Sequence, residues 1–373
     1  MTVVAFSADW HADEYLSRID PESGLNARLL DYLRTATSIA LEARREKAAA
    51  LVIAGDLTER RHPSPWLVAR IQEALAHGPK RVIVTRGNHD GAKGGRWIGD
   101  VLAQREGWEA VDRPRVIPIE DGAICAAGYL DRHWVRSQPG FETVPDADVF
   151  RVLGEQYLAI ARGLYAQAKA DGAKWTVLVG HQGLSGGEMS DTQQAFLGDL
   201  SLVVDSGALS AIGFEAAVFG HYHKHQTVVA GTAPIIYPGS IERVDFGEAE
   251  QPKGWVLADV APGRFDWTFV ETVARRFVTL TAPRPEDAFN VAATVVRCVD
   301  VPPDVDVAEL RRVLEADGAF DITEITRARV AAPEIVGGLS ESLTAAEALS
   351  AFFAEDPDRD ALVERGRELL AAV

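Results

Sequence analysis

One repeated feature constrains this chain more than any other. Five times an apolar run that reads as a buried strand gives way at once to Asp, Asn or His: Asp9-Trp10-His11, Gly55-Asp56, Gly87-Asn88-His89-Asp90, Gly180-His181 and Gly220-His221-Tyr222-His223. In layered α/β folds, ligands bind at the carboxyl ends of the strands, so five such ends can supply one crevice. Glycine at these points permits sharp turns and close backbone approach. Five of the nine histidines lie in the clusters. A single cluster is no more than a turn, because turns favour Asp, Asn and Gly anyway. The five together require a centre that compensates so many buried polar groups.

The chemistry of that centre follows from the residue types. Mixed carboxylate, amide-oxygen and imidazole donors suit manganese, iron or zinc, with magnesium also open; manganese is the expected ion. The two cysteines, Cys125 and Cys298, lie far apart in no ligand spacing and read as small core residues. They exclude a disulfide scaffold and a thiolate zinc site, and suit a reducing cytosol. Seven ligand candidates are too many for one ion and right for two. Two divalent ions clamp a phosphate ester and lower the pKa of water toward ~7. No apolar run approaches the ~18 residues of a membrane span, and the N-terminus reads as a strand, so the expected location is the cytoplasm.

The order of elements predicts an α/β layered fold. Val3–Ala8, Ala49–Ala54 and Arg81–Thr85 read as parallel strands, with helices at Leu25–Arg45 and Ser64–Ala76 between them. Further strands are expected at Ile124–Ala127, Thr176–Val179 and Ala216–Phe219, with a long helix near Asp146–Asp171. The whole reads as a two-sheet β-sandwich flanked by helices. Pro283 and Pro285 mark a boundary. The expected organisation is a 1–280 main domain, a 281–335 small α+β domain and a 336–373 helical segment. The small domain is expected as strand Phe289–Val299, helix Val307–Ala316 and strand Asp321–Val330; the last segment as helices Leu343–Phe353 and Asp358–Leu370.

The series DxH, GD, GNHD, GH, GHxH resembles the calcineurin-like metallophosphoesterase superfamily. The resemblance implies that Asp9, His11 and His223 hold one metal, that Asn88, His181 and His221 hold the second, and that Asp56 bridges them. It implies further that His89 contacts the scissile phosphate and assists the leaving oxygen, with Asp90 orienting His89. Tyr237-Pro238 followed by Gly239–Glu248, the stretch from Gly55 to Pro65, and the small α+β unit are similar to SbcD/Mre-type DNA nuclease subunits. That narrower resemblance implies exo- or endonucleolytic end processing in repair or recombination, a capping role for the small domain, and a homodimer through helices near Trp66–Ala76 and Trp97–Gln104. It also implies a coiled-coil ATPase partner of SbcC type at the C-terminal helices. One departure is Glu59, which stands where archaeal and eukaryotic members carry a histidine after the GD motif; SbcD-type members also lack it.

Basic loop residues near the motifs, Arg60, Arg61, His62, Lys93, Arg96, Lys224 and His225, are expected to form a rim for DNA phosphates. Arg132, His133 and Arg136 extend it, and Trp10 and Tyr222 either stack on a base or pack around the site. Against this stands a net charge of −17, weak evidence against bulk electrostatic binding of nucleic acid. Two rival readings follow: a phosphodiesterase of the same superfamily with a small substrate such as a cyclic nucleotide, and a non-catalytic scaffold that binds DNA ends. No member of the motif set is missing, which disfavours the second.

Overall fold

The computed structural model describes residues 1–13, 18–91, 97–190, 193, 203–228, 233–328, 347–348, 350, 353 and 359–371. Its strands are β1 Thr2–Ser7, β2 Ala50–Ala54, β3 Val82–Thr85, β4 Trp108–Val111, β5 Arg115–Ile119, β6 Gly122–Ala127, β7 Thr176–His181, β8 Gly183–Leu184, β9 Val203–Val204, β10 Ala216–Gly220, β11 Gln226–Val228, β12 Ile235–Tyr237, β13 Gly254–Ala261, β14 Arg264–Glu271, β15 Phe277–Thr281, β16 Val295–Val301 and β17 Asp321–Arg327. Its helices are α1 Ala27–Arg45, α2 Pro65–Ala76, α3 Ile98–Leu102, α4 Arg132–Arg136, α5 Asp146–Ala170, α6 Ser206–Ser210, α7 Val307–Ala316 and α8 Arg359–Ala371.

Two six-stranded sheets form the centre, in the orders β14-β13-β1-β2-β3-β4 and β11-β12-β10-β7-β6-β5. The strands β1, β2, β3 and β4 run parallel, as do β6, β7, β10 and β12. The inner faces meet in one apolar layer: Val4, Phe6, Val52 and Ile83 from the first sheet lie with Ile124, Val177, Val179 and Val218 from the second. Every residue of β2 is buried, as a strand covered on both faces requires. The expected sandwich flanked by helices is the observed architecture.

Helices cover both outer faces. α1 and α2 bury Leu29, Ile39, Leu67 and Ile71 on the first sheet, and α5 buries Val149, Leu153, Tyr157 and Leu164 on the second. The Asn26 side chain caps α1 by accepting from the Leu29 N–H at 2.9 Å, and Ser64 caps α2 by accepting from the Leu67 N–H at 3.2 Å.

A third, three-stranded sheet, β15-β16-β17, is parallel throughout. α7 covers it, burying Leu310 and Leu314 with Val296, Cys298 and Ile322. The strand expected from Phe289 begins only at Val295, and the sheet draws its first strand from Phe277–Thr281. Residue 281, the expected boundary, is thus the end of the small sheet's own first strand. The unit is docked rather than tethered. Phe277, Val295 and Phe320 pack with Ala27, Phe246 and Ala249, and the Arg275 Nη2 bonds Asp31 Oδ1 at 2.7 Å. Of the expected C-terminal helices, the second is α8; the first lies mostly outside the described residues.

Candidate metal centre

β1, β2 and β3 in one sheet, and β7 and β10 in the other, end along a common edge. Each delivers its cluster there. Asp9, His11, Asp56, Asp90, His181, His221 and His223 are all buried. The loops after β1 and β2 are laced together, with the Asp9 N–H donating to Gly55 O at 3.1 Å and the His11 N–H to Asp56 O at 3.0 Å. Asp9, His11, Asp56 and His221 adopt positive φ, at 50°, 46°, 51° and 99°. Side chains avoid this left-handed region unless their surroundings hold them there, and such strain concentrates at functional sites. The glycines set the spacing. A Cβ on Gly87 would overlap the Asp56 carboxylate, and one on Gly220 would overlap Ala54 O across the two sheets.

The carboxylates are held in the same manner. Asp9 Oδ1 accepts from the His221 N–H at 2.8 Å, and Asp56 Oδ1 accepts from the His89 N–H at 2.8 Å. One oxygen of each is thereby fixed to backbone and the other is left for the cluster. Asp56 Oδ2 lies 3.2 Å from His181 Nε2 and 3.7 Å from His11 Nε2. Asp9 Oδ2 is buried and has no hydrogen-bond partner among the described residues. Three sets of donor atoms gather within 4.8 Å of one another: Asp9, His11 and His223; His11, Asp56 and His89; and Asp9, Asp56 and His181. Asn88 Oδ1 stands 3.0 Å from His181 Nε2 and 3.1 Å from His221 Nδ1, so the second set of expected ligands is also contiguous.

Electrostatics point the same way. Burial opposes ionisation of Asp56, yet the charge and hydrogen bond of His181, with His11 and His89, hold its carboxyl far below the usual range. Burial likewise opposes charge on His181, but Asp56 and then Asp9 raise it to about 9. Burial, then the His181 charge, pushes His221 down to about 3. Burial raises Asp9 against the pull of His181 and His223. Asp56 is thereby kept ionised and His221 neutral, the forms in which both bind a metal. The partnerless Asp9 oxygen and a donor set of carboxylate, amide and imidazole without thiolate fit divalent cations.

Outside this cluster the expected roles divide. His89 joins it: its backbone is fixed by Asp56, and its Nδ1–H donates to Glu59 O at 3.0 Å. Among the described residues, Asp90 bonds backbone amides rather than the expected His89 ring. Its Oδ1 accepts from Leu57 N–H at 2.8 Å and Thr58 N–H at 3.2 Å, and its Oδ2 from Gly87 N–H at 2.9 Å. It ties the loops after β2 and β3 together, and burial, then the Asp56 charge, raises it to about 6. The resemblance implied contact with His89, but the carboxylate turns inward toward three amides.

Two other carboxylates meet the histidines. Glu59 Oε2 lies 2.6 Å from His11 Nδ1 and its Oε1 3.5 Å from His89 Nδ1. Glu248 Oε1 lies 2.6 Å from His223 Nδ1. Neither was expected to take part, although Glu59 lies between Gly55 and Pro65 and Glu248 ends the Gly239–Glu248 stretch.

The expected basic rim is only partly open. Arg61 and His62 are exposed. Arg60 pairs with Asp13 at 2.7 Å, and Lys224 pairs with Glu188. His225 does not reach the rim: its ring stacks on Phe269 with centroids 3.8 Å apart, and its Nδ1–H donates to Tyr237 O at 2.8 Å. Trp10 and Tyr222 are buried and pack around the site, so neither offers a stacking face. Lys93 and Arg96 lie outside the described residues.

A model of the calcineurin-like phosphoesterase family matches residues 2–225. The SbcD subunits of nuclease SbcCD from Staphylococcus epidermidis and Bacillus subtilis are 25% and 24% identical over 275 residues, or 69% and 70% of this chain. The chain spans 66% of the length of each of these curated relatives, just under two thirds. Among solved structures, a dimetal phosphatase from Danio rerio aligns over 72% of this chain and 95% of its own at 13% identity and a TM-score of 0.44. GAP50 of Plasmodium aligns over 72% and 84% at 12% identity and a TM-score of 0.41. With its five strand ends inside the matched region, the chain belongs to the calcineurin-like phosphoesterase family.

Proposed function

We propose that this protein is a two-metal phosphodiesterase that hydrolyses DNA, a nuclease subunit of SbcD/Mre type. The observation that carries the phosphodiesterase reading is the convergence of Asp9, His11, Asp56, His181 and His223 from two sheets within one buried cluster. DNA as substrate is supported by the similarity to the SbcD subunits of nuclease SbcCD and by the added small sheet. Asp9, His11 and His223 would hold one ion, and Asn88, His181 and His221 the other, with Asp56 between; manganese is the ion to test first. Two divalent ions, when bound, neutralise a phosphate diester and lower the pKa of water near its phosphorus.

The chain's own groups supply the rest. His89 donates Nδ1–H to Glu59 O, which leaves Nε2 for substrate, and its side chain is 36% exposed. Nε2 is the atom that would meet a phosphate oxygen or the departing 3′-oxygen and pass it a proton. Asp56 and Asp9 stay fixed by their backbone N–H bonds while charge develops. Self-association is proposed at the half-exposed Trp66 of α2 and Val101 of α3, and an SbcC-type ATPase is proposed to dock at the C-terminal helical segment, in a cytoplasmic complex.

The test is nuclease activity of the full chain with manganese on linear duplex, hairpin-ended and single-stranded DNA, with bis-p-nitrophenyl phosphate in parallel. The expected result is DNA cleavage that Asp56→Asn abolishes. Turnover of the small ester without DNA cleavage, unchanged when an SbcC-type ATPase is added, would favour the small-substrate reading. The net charge of −17 and the acid-paired rim residues give that second reading its support.

A further inference from the structure

We infer that Glu248 is a positioning residue for His223, fixing its imidazole so that Nε2 is presented to Asp9 and His11. The inference deepens the metal-dependent reading above and rests on it. Glu248 follows His223 by 25 residues in sequence yet places Oε1 2.6 Å from its Nδ1. Its side chain is wholly buried, as is that of Lys253, whose Nζ lies 2.8 Å from Glu248 Oε2. Lys253 Nζ also donates to His223 O at 3.1 Å and to Ser240 Oγ at 2.9 Å. The Val244 N–H donates to Glu248 Oε2 at 3.0 Å. The pair thus meets His223 at both its ring and its carbonyl, and its remaining bonds tie it to Ser240, Val244 and Gln251.

A buried ion pair is a poor source of stability, since an apolar pair of similar volume serves as well or better. What an apolar pair lacks is an acceptor for the imidazole. With Nδ1–H donated to a carboxylate, the tautomer and ring plane are set and the Nε2 lone pair faces the cluster. Carboxylates in this relation orient metal-ligating histidines and raise their basicity. Glu248 is itself held from outside the site. It ends the short turn Phe246–Glu248, whose first ring meets Phe277 of the small sheet edge-on at 5.0 Å. The Arg297 guanidinium, also from that sheet, lies 4.5 Å from the same ring's centre.

The experiment is manganese titration of the full chain by calorimetry, with electron paramagnetic resonance counting bound ions, on wild type, Glu248→Gln, which keeps an acceptor oxygen, and the double variant Glu248→Leu/Lys253→Met, which removes it. The double variant removes both buried charges, so the fold does not carry an unpaired ammonium; circular dichroism checks it. The expected result is that one ion of two weakens about 10- to 100-fold while the other binds as in wild type. The pH profile of bis-p-nitrophenyl phosphate turnover should shift as well, which a purely structural pair would not cause. A folded double variant that binds both ions as tightly as wild type overturns the inference and leaves the metal-dependent reading standing. A wild-type chain that takes up no manganese overturns that reading and this inference with it.

Discussion

Asp56 shows how much a single side chain carries in this site. Its Oδ1 fixes the His89 backbone, its Oδ2 faces His181 and His11, and its charge lifts His181 to about 9. The metal-free His181 therefore holds a proton at neutral pH that a cation must displace. Below about pH 9 apparent manganese affinity should fall as pH falls, with about one proton released per cation bound at this histidine. Calorimetry in buffers of different ionisation enthalpy reads that proton; affinity flat from pH 6 to 9 would contradict it. His89 is a different case, because its Nδ1 is committed to Glu59 O and its side chain is partly open. His89→Asn should lower turnover by about 10²-fold or more while both ions still bind. Equal loss of turnover and metal stoichiometry would place His89 among the ligands. The residues of the buried cluster were legible because strand-end Asp, Asn and His are local patterns. The partners of Asp90, and the pairing of Glu248 with His223, were not. A side chain's hydrogen-bond partner depends on tertiary approach, which adjacency in sequence does not encode.

Elements were legible where hydrophobic periodicity acts alone. α1 was expected over Leu25–Arg45 and runs Ala27–Arg45, because its apolar stripe and the Asn26 cap are both local. The small sheet was harder to read. β15 holds only five residues, directly after the long hairpin of β13 and β14, and nothing local distinguishes it from a continuation of that hairpin. Its pairing with β16, across the proline-marked loop, is long-range. That pairing has an energetic consequence. Phe277 is 8% exposed and packs with Phe246, Val295 and Phe320, so Phe277→Ala should destabilise the docked unit by about 3–5 kcal/mol. Limited proteolysis should then cut between β14 and β16 before the sandwich is attacked. Unchanged cleavage kinetics would mean that the Arg275–Asp31 pair and its neighbours hold the unit without the aromatic cluster.

Over the whole molecule, charge decides how DNA could be held. A chain at −17 repels a polyanion at long range, so productive contact depends on a few local cations and on the metal site. Acids already engage two of the nearest: Asp13 pairs with Arg60, and Glu188 with Lys224, the neighbour of His223 in the cluster. Both acids compete with phosphate for the same guanidinium or ammonium. Glu188 is exposed and contacts no member of the cluster among the pairs described, so Glu188→Gln frees Lys224 without disturbing the metals. Exposed ion pairs are worth about 0–1 kcal/mol, which sets the gain in duplex affinity at about fivefold at most. That gain should shrink with added salt, because each freed phosphate contact steepens the salt dependence by ~0.9 in log–log slope. Turnover of bis-p-nitrophenyl phosphate, which needs the metal site and not the rim, should stay as in wild type. Tighter duplex binding with unchanged ester turnover would assign Lys224 to the path of the DNA backbone. Unchanged binding across a salt series would leave the metal centre as the main holder of phosphate, and would shift weight to the small-substrate reading.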